Sequence, residues 1–128
     1  MTEDITAVRE AVRRSLLLDF AVVPPQHATS QQVHLEVWQV RGRDRVVGIE
    51  YHPARVNLWV TAQNLPAGLP STIDRDDKLP KGRGWIGKDG KGANSNLSAY
   101  DAFRTRKIAR LGVMTTADVE RILGHLLR

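Results

Sequence analysis

Cysteine is absent from this chain of 128 residues, which removes disulfides, thiol nucleophiles and every cysteine-based zinc site at once. A metal would have to sit on oxygen or imidazole ligands. Long apolar runs are missing too: nothing approaches the roughly 20 consecutive apolar residues that cross a bilayer. The opening residues TEDITAVREAVRR are acidic and then amphipathic, unlike a secretory signal. A cytoplasmic protein without a membrane partner is the expectation. Aromatic residues make up only 5%, so each tryptophan calls for an account. Acids are scarce in one third of the chain. Between residues 78 and 110 nine bases meet two acids, Asp89 and Asp101, whereas the remainder holds ten bases and twelve acids. That third supplies the whole formal excess of +5, an electrostatic footprint suited to a polyanion.

What is present suffices for one core. With 41% hydrophobic and 26% charged side chains, residues 1–128 are expected to form a single domain. Residues 2–19 place Ile5, Val8, Val12 and Leu16 at helical spacing, with Thr2 as the expected cap. Pro24 and Pro25 stop that helix, and QHATSQQ is a polar connector. From 33 to 63 the period falls to 2, giving three strands, VHLEVWQV, VVGIEYH and VNLWVTAQ, joined by RGRDR and PAR. Residues 64–96, rich in Pro, Gly, Asn, Asp and Lys and without a period, read as a long loop. NLSAYDAF suggests a short helix and KIARLGVM a fourth strand. Thr115 caps a last helix, with Asp118 three residues on, whose buried stripe is Val119, Ile122, Leu123 and Leu126. The order predicts an α+β fold: a three- to four-stranded, mainly antiparallel sheet, N- and C-terminal helices packed on one face, and a long basic Gly-rich loop.

Alternation sorts the strand residues by face. Val33, Leu35, Val37, Val47, Ile49, Tyr51, Val56, Leu58 and Val60 are expected to form the core wall. His34, Glu36, Trp38, Glu50, His52, Asn57, Trp59 and Thr61 fall on the other face. Two tryptophans among polar residues imply a covered surface, whether by the long loop, a second copy or a ligand. Trp38, Trp59 and Asn57 are therefore a candidate interaction face, with a homodimer among its possible uses.

The stretch KGRGWIGKDGKGANSNLSAY contains Gly82, Gly87 and Lys88 in the spacing of a nucleotide phosphate loop. Asp89 stands where that loop needs Ser or Thr for magnesium, and neither a leading strand nor a following helix is visible, so an ATPase or GTPase is not indicated. What remains is a glycine-rich, cationic run able to wrap backbone amides around a phosphate. Trp85 within it could stack on a base. The leading expectation is a non-enzymatic domain that binds nucleic acid or an acidic protein without cofactor or metal. Lys81, Arg83, Lys88, Lys91, Arg104, Arg106 and Lys107 would contact phosphates, alongside Trp85.

Two alternatives stand beside it. One is a protein-interaction module, a small regulator or inhibitor, using Trp38 and Trp59. The other is a magnesium-dependent nuclease in which Glu36, Glu50 and His52 meet on one face, since paired carboxylates bind magnesium and activate water. One helix, three strands and a later strand–helix pair, together with Glu50-Tyr51-His52, resemble the restriction-endonuclease-like nucleases. The lysine and leading aspartate of that family are missing from the corresponding places.

Overall fold

Val8, Val12 and Leu16 recur every fourth residue and are all fully buried, which draws Ile5–Asp19 into an amphipathic helix, α1. The computed structural model describes residues 4–26, 35–70, 72–81, 84–87, 97, 100–103 and 106–128, with the backbone alone at 79–81 and 84–87. Asp4 caps the helix, its carboxylate accepting from the Thr6 amide at 2.9 Å, while the expected cap Thr2 lies outside the described residues. At the other end the Phe20 amide bonds the Leu16 carbonyl, and the chain passes straight into a strand.

Seven strands follow in one sheet: β1 (Phe20–Val22), β2 (Leu35–Val40), β3 (Val46–Tyr51), β4 (Val56–Thr61), β5 (Asp74–Lys81), β6 (Gly84–Gly87) and β7 (Ile108–Val113). Helix α2, Thr116–Leu126, closes the described chain. The spatial order is β1-β2-β3-β4-β7-β5-β6, and every pairing is antiparallel. The fold is α+β with an antiparallel sheet and terminal helices, as the pattern predicts, but it has more strands than three or four. Strands β5 and β6 lie inside the expected loop 64–96. Asp, Lys, Pro and Gly are all depleted in strands, so DRDDKLPK and GWIG give no signal of one. The loop's residues 71, 82–83 and 88–96 lie outside the described residues.

Both faces of the sheet carry a core. On one, α1 and α2 pack over Trp38, Val40, Val47, Ile49, Leu58, Val60, Leu111 and Val113. On the other, Leu97, Tyr100 and Phe103 cover Leu35, Val37, Val46, Trp59 and Ile108. The covering residues turn by successive i→i+3 bonds: Tyr100 N–H to Leu97 C=O at 3.1 Å and Phe103 N–H to Tyr100 C=O at 3.0 Å. Gly48 permits this layer to come close, because a Cβ there would stand 3.2 Å from Leu97 Cδ2 and 3.3 Å from Trp59 Cβ.

The facing of β2 departs from the sequence reading. Trp38 lies opposite Val47 and Glu36 opposite Ile49, so both side chains belong to the helix-covered face, while Leu35 and Val37 belong to the other. Strand β2 buries Leu35, Val37, Trp38 and Val40, apolar residues on both faces, and alternation within it cannot fix its phase. The turn after it fixes the register: Gly42 takes φ of 77°, and the Val40 amide bonds the Arg45 carbonyl at 2.9 Å. Arg45 then reaches to the end of α2, its Nη1 donating to the carbonyls of His125 and Leu126 at 3.2 and 3.1 Å. The cap at the start of α2 is the expected one, Thr115 Oγ1 accepting from the Asp118 amide at 3.1 Å. No helix among the described residues is long and apolar enough to cross a membrane.

Candidate polyanion interface

Strands β5 and β7 are sheet neighbours, and Lys78 lies opposite Ile108. The basic stretch between them therefore leaves and re-enters the sheet at one place. Its root carries charge on both faces. Asp74, Asp76 and Lys78 alternate to one face of β5, in line with Gly112, Arg110 and Ile108 of β7. Arg75 and Asp77 alternate to the other, opposite Leu111 and Ala109.

Each acid of β5 holds a cation. Asp76 and Lys78 form a buried pair, Oδ2 to Nζ at 2.8 Å, with side chains only 6% and 2% exposed. A lysine stripped of water keeps its charge when a carboxylate replaces the solvent. Asp74 binds Arg110 Nη2 at 3.1 Å. Asp77 binds Arg75 Nε at 2.8 Å through one oxygen and Lys107 Nζ at 3.3 Å through the other. The hydrogen bond from Arg75, helped by its charge and by Lys107, holds the Asp77 carboxyl below the usual aspartate range against a partial desolvation that raises it.

A row of buried polar atoms crosses the sheet beside these pairs. Trp59, Arg110 and Asp76 are register partners on β4, β7 and β5. Trp59 Nε1, Arg110 Nε and Asp76 Oδ1 are each buried without a hydrogen-bond partner among the described residues. Asn57, one row away, is satisfied: it accepts from Arg55 Nε and donates to Glu50 Oε1, each at 2.9 Å.

Among the expected phosphate contacts, Arg106 and Lys107 are exposed just before β7. Lys81 ends β5 opposite Gly84, and Trp85 stands in β6 opposite Pro80, as backbone positions. Arg83, Lys88, Lys91 and Arg104 lie outside the described residues, as does His34.

The expected tryptophan face is not assembled. Trp38 and Trp59 lie on opposite faces and are 8% and 3% exposed, Trp38 under α1 and Trp59 under the layer from Leu97 to Phe103. Asn57 shares only Trp59's face. The nuclease carboxylates are likewise separated, because Glu36 points to the helix-covered face and Glu50 to the other. Glu36 accepts from Arg13 Nη2 at 2.8 Å and from Trp38 Nε1 at 3.2 Å. His52 holds the turn after β3, its Nδ1 accepting from the Ala54 amide at 3.1 Å. Among the described residues no group of three His, Asp or Glu could hold a metal ion. Nearby, Arg13 stacks 5.4 Å from the Tyr51 ring centroid, and burial, then the charge of Glu36, pushes the Tyr51 phenol up.

The residues that the sequence reading missed are Asp74, Arg75, Asp76 and Asp77. Their signal is present in DRDDK, where acids and a base two apart form a charged row if the backbone is extended. Comparison of the chain with protein-family models, with curated proteins and with solved structures finds no match in any of the three.

Proposed function

We propose that this is a non-enzymatic domain that binds a polyanion, nucleic acid above all, through the basic segment 81–110. Lys81, Arg83, Lys88, Lys91, Arg104, Arg106 and Lys107 contact phosphates in this reading, and Trp85 stacks on a base. The observation that supports it is the charge distribution taken over whole elements. From Asp74 to Arg110 the chain has ten bases and five acids, and outside that stretch nine of each. Three of those five acids, Asp74, Asp76 and Asp77, are engaged within the sheet. From Lys81 to Arg106 six bases then stand against Asp89 and Asp101 alone. A net excess confined to one segment, whose two ends are fixed side by side in the sheet, suits a phosphate backbone better than a small ligand.

Fluorescence anisotropy of labelled single- and double-stranded oligonucleotides, titrated at low and moderate salt, tests the reading. Binding should weaken steeply with salt and depend little on sequence, and Lys88→Glu with Lys91→Glu should abolish it. Absence of binding at low salt would overturn the reading, and cleavage on adding magnesium would overturn its non-enzymatic part.

A further inference from the structure

Resting on that reading, we infer that Asp77 is an internal competitor for the polyanion: its carboxylate holds Arg75 and Lys107 at the root of the basic segment and yields them when a phosphate arrives. Arg75 Nε and Nη2 donate to its two oxygens at 2.8 and 3.3 Å, and Lys107 Nζ stands 3.3 Å from the second oxygen. One carboxylate thus ties a cation of β5 to the residue that precedes β7. The side chains of Asp77, Arg75 and Lys107 are 31%, 38% and 48% exposed, so solvent and a ligand reach all three. Exposed ion pairs contribute little and are screened by salt, which makes this one exchangeable. The pair beside it is different in kind. Asp76 and Lys78 are buried, and parting them would strand a charge without water. Asp77 stands where a bound phosphate would stand, with the same sign and the same partners. A phosphate chain, which gains by releasing its own counterions, displaces it and adds two cations to the interface. In the free protein the same carboxylate lowers the affinity for weaker anions.

The test compares the full chain with Asp77→Asn, Asp77→Glu and Glu120→Gln, using anisotropy of a labelled oligonucleotide, single-stranded and duplex, across a salt series. Asp77→Asn should tighten binding on the order of tenfold at low salt and steepen the slope of log K against log salt by about one to two. Asp77→Glu keeps the charge and should bind as the parent does. Glu120→Gln removes an exposed acid from α2 and should also leave binding unchanged. Adding Lys107→Gln to Asp77→Asn should return about one unit of that slope, an outcome that a merely loosened fold would not give. Tight binding by Asp77→Asn at a salt concentration where the parent has already released the oligonucleotide would support the competitor strongly. A parent that binds with an unchanged Asp77→Asn affinity and slope would sink the competitor and leave the interface standing. An equal gain in Glu120→Gln would reduce the effect to net charge and also overturn it. If neither parent nor variant binds, both the interface and the competitor fall.

Discussion

Lys78 combines the most water-seeking of side chains with 2% exposure, and the Asp76 carboxylate at 2.8 Å offsets the loss of water there. The attraction within such a pair roughly offsets the desolvation of both ions, so the pair specifies strand β5 more than it stabilises it. Removing one member is costly where removing both is not. Lys78→Met should lower stability by about 3 to 5 kcal/mol, and Asp76→Leu with Lys78→Met should recover most of that loss in urea unfolding. A double variant as unstable as the single one would show that the ion pair itself is stabilising. Tyr51 offers a residue-scale test by pH. Its ordinary pKa is 10.0, and burial followed by the charge of Glu36 raises it, while Arg13 and Arg9 pull it down. A raised folded pKa means a contribution fully present below pH 10 and lost as pH rises through the raised value. In a Tyr100→Phe background, the phenolate absorbance of the native protein should therefore appear at higher pH than that of free tyrosine. Tyr51→Phe should remove the matching alkaline loss of stability. For Asp77 the sign is opposite. Its lowered pKa gives a contribution present above the usual aspartate range and lost as pH falls through the lowered value, and its exposure keeps that contribution small.

At the level of elements, α1 and α2 are legible because each carries one period with one buried stripe, and β3, β4 and β7 because aliphatic residues recur at alternate positions: Val47 and Ile49, then Val56, Leu58 and Val60, then Leu111 and Val113. Val8, Val12 and Leu16 read as helix, and Val47 with Ile49 reads as strand, whatever the rest of the chain does. Strand β2 is legible as a strand but not in its facing, since burial on both sides erases the contrast that alternation depends on. Strand β5 is illegible for a further reason. Its buried positions among the described residues are filled by Asp76 and Lys78, an ion pair and not a hydrophobic stripe. Of the candidate interface, the cations are visible in composition, while the acids that hold them become visible only once β5 is known to be extended. Gly48 shows how an element can be shaped by what covers it. Leu97 and Trp59 already crowd the place of its missing Cβ. Gly48→Val should cost about 1 to 3 kcal/mol by overpacking, read as a lower urea midpoint with unchanged slope. A neutral outcome would mean that the Leu97 end of the covering layer moves aside freely.

Across the whole molecule, the sheet is a shared wall between two cores of unequal size. The larger is sealed by two amphipathic helices, and the smaller by Leu97, Tyr100 and Phe103, with Val23 and Ala102 packed against it. This smaller layer stands in sequence inside the basic stretch, so the segment proposed to grip a polyanion is also anchored by it. Packing and charge are coupled here: Phe103 is fully buried while Arg106, three residues later, donates its amide to the Phe103 carbonyl at 3.1 Å and presents its side chain outward. Phe103→Ala should therefore act at two levels. It should destabilise the fold by about 3 to 5 kcal/mol through the cavity it leaves. It should also weaken oligonucleotide binding under conditions where the variant is still folded, because the cations on either side lose their anchor. Unfolding followed by near-ultraviolet and far-ultraviolet circular dichroism distinguishes the possible forms of that loss. Coincident transitions at a reduced midpoint are expected if both cores melt as one unit. An early near-ultraviolet transition would instead assign the second layer its own local stability, and the anchoring argument would then fail.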